Sequence, residues 1–168
     1  MNSIVIYSSR TGNTKQVAEA IVGVLPEGTP CVPVNEAPAD LSQYDLVFMG
    51  FWADQGNADK AAQAVLKRID NESSSLCYVR CTADDAPCER NHGSRYRSFA
   101  KRSGANRDFH VPSKVDPKVI EMMFKIFPDG HPHGRNPERE ERHKQAASHP
   151  DANDLANAAA FAKDVLAN

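Results

Sequence analysis

The sequence predicts an α/β domain built on an open parallel sheet with helices on both faces. Short apolar runs alternate with stretches of helical periodicity along most of the chain. The longest of these runs, Leu46-Val47-Phe48-Met49-Gly50-Phe51, is apolar throughout, as a parallel strand buried on both faces must be. The 168 residues are 40% hydrophobic and 25% charged, which suits one domain spanning 1–168 with no internal repeat or linker.

The elements follow in order. Ile4-Val5-Ile6-Tyr7 reads as a first strand, stopped by the polar stretch Ser8 to Thr14. Val17, Ala20, Ile21, Val24 and Leu25 then recur at helical spacing, and Pro26 and Gly28 end that helix. Cys31 to Val34 is a weak second strand whose Pro33 suits an edge. The run 46–51 is the central strand, and Asp59 to Ile69 a helix with Ala61, Ala62, Val65, Leu66 and Ile69 on one face. In such sheets ligands sit beyond the carboxyl ends of the strands, where the loops 8–14 and 50–57 fall.

Residues 73–113 break the pattern. Leu76, Val79 and Val111 are their only Leu, Ile or Val residues, and the stretch is rich in Arg, Ser and Cys. Leu76 to Val79 is expected as a fourth strand and Asp108 to Val111 as a poor fifth, but Glu89 to Arg107 has no apolar stripe to seat a helix. Two readings stay open: compensating frame changes near Asp70–Ser75 and Val111–Lys114, or a divergent genuine segment with a ragged strand and a mobile, disordered loop. Translation of the underlying DNA in its other two frames separates them.

Periodicity resumes with Asp116-Pro117, an N-cap and first-turn proline, and with Val119, Ile120, Met123, Phe124 and Phe127 on one face. Pro128 to Gly134 breaks that helix, Pro137 to Ala147 is a charged, exposed one, and the last helix follows Asp151 with Leu155, Ala158, Ala159, Ala162, Val165 and Leu166 facing the core.

Formal charge is −2 and pI about 6.3, so whole-chain charge favours neither nucleic acid nor a membrane surface as partner. The N-terminus lacks the features of a signal peptide and no run of 18 apolar residues occurs, which points to the cytoplasm and hence to free thiols at Cys31, Cys77, Cys81 and Cys88. Cys77, Cys81, Cys88 and His92 formally suffice for tetrahedral zinc, but their spacing matches no familiar knuckle. His131 and His133 beside helix breakers read as loop surface, and Arg90, Arg95, Arg97, Lys101, Arg102 and Arg107 lack the aromatic platform of a nucleic-acid module. No metal site is expected, and no side-chain nucleophile or acid–base pair stands out.

The chemistry-bearing motif is Ser9-Arg10-Thr11-Gly12-Asn13-Thr14, which crowds hydroxyls, an amide and a glycine around the first free N–H groups of a helix. It lacks the lysine and spacing of a Walker loop, and its neutral donors suit a monoester phosphate. An ordinary helix cap is the alternative.

Residues 3–25 resemble the N-terminus of a flavodoxin, whose phosphate loop has the form T/S-x-T-G-x-T, and Tyr44 to Trp52 resembles the third strand and following loop of the same fold. The ending, with Lys114 to Met123, Gly130-His131-Pro132-His133 and Asp154-Leu155-Ala156-Asn157, is similar to short flavodoxin-like proteins of anaerobic bacteria, accessory flavodoxins of bilirubin-reductase systems among them. The resemblance implies a flavodoxin-like sheet of order 2-1-3-4-5 that binds FMN and passes electrons between a reductase and an acceptor enzyme. It places the phosphate on Ser9, Arg10, Thr11, Gly12, Asn13 and Thr14, an aromatic ring, Trp52, against the isoalloxazine, and a backbone turn facing flavin N5 at Gly56. The chain departs from the family at Cys77 to Asp85, where flavodoxins carry a G-T-x-G-like loop. A flavin enzyme acting directly on a quinone or bilin, and a flavin-free scaffold subunit, are the competing readings.

Overall fold

The computed structural model describes residues 1–54, 57–69, 75–82, 107–131 and 134–167. Five strands form one parallel sheet: β1 (Ser3–Tyr7), β2 (Cys31–Pro33), β3 (Leu46–Asp54), β5 (Ser75–Thr82) and β6 (Arg107–Pro112), in the order β2-β1-β3-β5-β6. A two-residue strand, β4 (Asn57–Ala58), folds back antiparallel on the end of β3. With that hairpin set aside, the order is the expected 2-1-3-4-5.

Each apolar strand serves both layers because successive side chains point to opposite faces. Ile4, Ile6, Val47, Met49 and Phe51 go to one face with α2 (Lys60–Leu66), while Val5, Leu46, Phe48, Cys77, Val79 and Val111 go to the other. That second face is covered by α1 (Asn13–Val22) and the final helix α5 (Ala152–Ala167), whose Ala158, Ala162 and Val165 are buried. Phe161 of α5 reaches the sheet, stacked on Phe109 at 5.1 Å and edge-on to Phe48 at 6.5 Å. Every fully buried aliphatic or aromatic side chain is worth about 1.5–3 kcal/mol, which is why the central β3 anchors both layers.

Several boundaries differ from the sequence expectation. The first helix stops at Val22, yet Leu25 beyond it still packs into the core. Val34 leaves β2 for a short 3-10 turn, and the second helix is Lys60–Leu66, shorter than 59–69, with Asp59 as its N-cap. The segment 50–57, expected as an irregular loop, instead continues β3 through Asp54 and starts the β4 hairpin, because the sheet pairing of Phe51 and Trp52 with β5 extends the strand. Strands β5 and β6 run longer than their aliphatic residues suggested, since backbone pairing with β3 along Leu46 to Trp52 holds β5, and β5 in turn holds β6. Residues 83–106, where the missing helix would fall, lie outside the described residues, and so do the bulk of the two readings of 73–113.

The helix after Asp116, α3 (Pro117–Ile126), has the expected cap and proline but buries none of its residues fully. Its apolar face meets the segment that follows it: Arg139 donates to Met123 Sδ at 3.3 Å, Arg135 lies 5.0 Å over the Phe124 ring, and Phe127 stacks on His131 at 4.6 Å. The charged helix α4 (Pro137–Ala146) thus reaches α3 through Arg139. Asp151 caps α5 by accepting from Asn153 and Asp154 N–H, and Asp154 Oδ2 accepts in return from Asp151 N–H, a reciprocal cap that His149 Nδ1 joins at 2.5 Å.

Candidate functional site

The carboxyl ends of β1 and β3 bring together the loop 8–14, the β3–β4 hairpin and the turn into α3. Gly12 sits at φ +90°, a left-handed conformation that costs glycine nothing, and a Cβ there would meet no atom within 4 Å. The backbone therefore faces open space where helix α1 begins. Ser9 Oγ accepts from the N–H of Gly12 at 3.1 Å and of Lys15 at 3.4 Å, and Gln16 N–H bonds Gly12 O. The N–H groups of Asn13 and Thr14 have no acceptor among the described residues. A helix start whose first two amides have no acceptor among the described residues, with the hydroxyls of Thr11 and Thr14 in the same loop, forms a cradle of donors, with Ser9 accepting two backbone N–H groups at its rim.

Neighbouring segments hold that cradle in place. Ser8 N–H donates to Gly50 O at 2.8 Å, and the buried Ser8 hydroxyl donates to Asp59 Oδ1 at 2.8 Å. The same oxygen accepts from Ala61 and Ala62 N–H, so one carboxylate caps α2 and pins the loop that precedes α1. Asp59 is 3% exposed and its other oxygen has no hydrogen-bond partner among the described residues. Gly50 allows close contact: a Cβ there would stand 3.0 Å from Thr14 Cγ2, tight enough to push the helix start away. Asn13 spends its side chain on Lys114 O at 3.1 Å, which ties the cradle to the turn before α3.

Arg10 departs from its neighbours. Its Nε donates to Asp116 Oδ2 at 3.2 Å, and its guanidinium lies 5.7 Å from the centroid of the Trp52 ring. Trp52 is half-buried at the end of β3 beside the cradle rather than sunk in the core. Gly56, between β3 and β4, lies outside the described residues. Ser8, Gly50, Asp59, Lys114 and Asp116 were missed as site residues by sequence reasoning. Of these, Asp59 carried a usable signal, an aspartate immediately before a helical pattern.

Cys77 and Cys81 lie four residues apart on β5, about 13 Å along the strand. Cys88, His92 and His133 lie outside the described residues. Burial pushes the Cys77 thiol up to about 11, against a smaller opposing pull from Arg107, and burial also raises Cys31. Arg107, one of the arginines weighed as a nucleic-acid contact, pairs instead with Asp164 at 2.8 Å.

The sequence pattern of the flavodoxin domain matches residues 4–163 of this chain. The chain belongs to the flavodoxin family. The flavodoxin-like domain-containing protein BilS of Clostridioides difficile (strain CD3) is 30% identical over 173 residues, covering 99% of this chain and 97% of that one. BilS of Clostridium symbiosum (strain WAL-14163) is 28% identical over 173 residues, covering 93% and 91%. Among solved structures, the Fusobacterium nucleatum flavodoxin bound to flavin mononucleotide matches with a TM-score of 0.58 at 13% identity, covering 99% of this chain and 98% of that one. The oxidised Flavodoxin 2 of Bacillus cereus gives 0.54 at 14%, covering 97% and 96%. At such identities the likeness speaks for the fold, and the flavodoxin sheet order agrees with it.

Proposed function

We propose that this flavodoxin holds FMN noncovalently, with the phosphate on Ser9 and Thr11 to Thr14 and Trp52 against the flavin ring, and carries electrons in the cytoplasm between a reductase and an acceptor enzyme. Family membership makes FMN the cofactor and electron transfer the general task. No helix among the described residues is long and apolar enough to cross a membrane.

The observation that carries the reading is the open cradle at the start of α1, set beside an aromatic ring at the carboxyl edge of the sheet. Its donors suit a monoester phosphate. The helix end contributes roughly 0.3–1 kcal/mol, up to about 2 where partly buried. Each hydrogen bond from Asn13 or Thr14 N–H, or from a Thr11 or Thr14 hydroxyl, to a charged acceptor adds about 1.5–3 kcal/mol.

FMN supplies the redox chemistry when bound. The chain's own residues bind and orient. Ser9, Thr11, Gly12, Asn13 and Thr14 anchor the phosphate, the Ser8–Asp59 bond fixes where the loop starts, and Trp52 offers a flat apolar face. No side chain has to act as nucleophile or acid–base catalyst in such a transfer.

The test is anaerobic reduction of the FMN-loaded chain by NAD(P)H, with and without an added flavodoxin reductase, followed by reoxidation. A carrier is reduced only when the reductase is present. Direct NAD(P)H oxidation with turnover of a quinone or bilin would make it an enzyme, and a chain that retains no FMN would make it a scaffold subunit; either result refutes the proposal.

A further inference from the structure

The resemblance assigns Arg10 to the phosphate together with its neighbours, but its side chain is engaged elsewhere. Arg10 joins three segments that are far apart in sequence: its own cradle loop, the end of β3 through Trp52, and the turn into α3 through Asp116. From this geometry we infer that Arg10 is a positioning residue for the flavin-ring platform, held on the face of Trp52 by Asp116, and does not serve as a phosphate ligand. The inference rests on the proposed placement of FMN with its ring at Trp52.

Three features argue for it. A planar guanidinium can donate to a carboxylate and lie over an aromatic face at the same time, which a lysine ammonium does less well. Asp116 is itself fixed, because its other oxygen caps α3 by accepting from Lys118 N–H at 2.9 Å, so the carboxylate that holds Arg10 is not free to follow it toward an anion. The cradle, meanwhile, offers its own neutral donors at Thr11, Asn13 and Thr14 without calling on a cation. The consequence is a clasp that fixes the indole and sets one positive charge at the ring end of the site.

Riboflavin, which has the ring of FMN but no phosphate, separates the two roles. The wild type, Arg10→Gln, Arg10→Lys and Asp116→Asn are titrated with FMN and with riboflavin, following the fluorescence of Trp52, the sole tryptophan. Asparagine caps a helix about as well as aspartate, so Asp116→Asn keeps the start of α3. Arg10→Gln is expected to weaken FMN and riboflavin by the same factor, about two- to fivefold. Asp116→Asn should show the same pattern to a smaller extent, and Arg10→Lys should fall between Arg10→Gln and wild type for both flavins. Trp52 emission should also change in the flavin-free Arg10→Gln and Asp116→Asn chains, a readout that needs no bound flavin. Loss confined to FMN makes Arg10 a phosphate ligand and overturns the inference, as does unchanged affinity for both flavins or unchanged Trp52 emission. Failure of the wild type to bind either flavin removes the functional proposal and this inference with it, and so is distinct from a failure seen only in the variants.

Discussion

Asp59 connects the stability of the fold to the start of the candidate site, and Asp59→Ala measures that connection. One buried carboxylate oxygen receives three donors: the Ser8 hydroxyl at 2.8 Å and the N–H groups of Ala61 and Ala62 at 3.1 and 3.2 Å. Removing an N-cap costs about 0.5–2 kcal/mol. Losing the charge-assisted bond from Ser8, whose hydroxyl is buried, costs about 1.5–3 kcal/mol more. The expected total is about 3 kcal/mol, a large share of the roughly 5–15 kcal/mol that holds a domain together. With a urea slope of about 2 kcal/mol/M, the unfolding midpoint should drop by about 1.5 M. Asp59→Asn retains the cap and should lose less than half as much. Equilibrium urea unfolding followed by circular dichroism reads both values. A midpoint for Asp59→Ala within about 0.3 M of wild type would refute the view that this carboxylate ties the loop to α2.

Three further outcomes are expected. Thr11→Ala and Thr14→Ala should each weaken FMN binding by roughly 0.5–1.5 kcal/mol, or up to about 3 because the acceptor is charged, and unchanged titrations of the double variant would end the phosphate assignment. Trp52 fluorescence should be quenched with a shortened lifetime when FMN binds; intensity loss by inner-filter absorption alone, with no lifetime change, would place the ring elsewhere. Burial raises the Cys77 pKa to about 11, so the folded chain keeps the thiol protonated while the unfolded chain loses the proton. Its contribution is therefore complete below about pH 8.5–9 and is lost as pH rises toward 11, by up to about 2–3 kcal/mol. Cys77→Ala should flatten that part of the stability profile, and an equal slope in both proteins would contradict it.

The sheet was legible where single strands carry enough apolar side chains to declare themselves. Ile4 to Tyr7 and Leu46 to Phe51 are such strands, and the order implied by the flavodoxin resemblance is the order observed. Local chemistry also read correctly at Asp116-Pro117, where capping depends on residues adjacent in sequence, and the last helix starts directly after Asp151 as expected. What stayed hidden depends on partners far away. Strand β5 runs through Arg80 and Cys81 because β3 lies beside it, and reaches Thr82 by pairing with β6, partners that no local apolar run announces. The apolar stripe of α3 was legible as one face, but not its partners, which include Arg135 and Arg139 of the following segment. In the site, the composition of 9–14 was visible, whereas the Ser8–Asp59 bond spans 51 positions and the Arg10–Asp116 pair 106. No spacing rule reaches that far.

The central claim is that this chain is a flavin carrier, and its most direct test is the absorption spectrum of the purified protein after incubation with FMN and gel filtration. The account predicts that flavin bands elute with the protein at about one FMN per chain, with band positions shifted from those of the free cofactor. A folded protein that emerges colourless from the same column would contradict it.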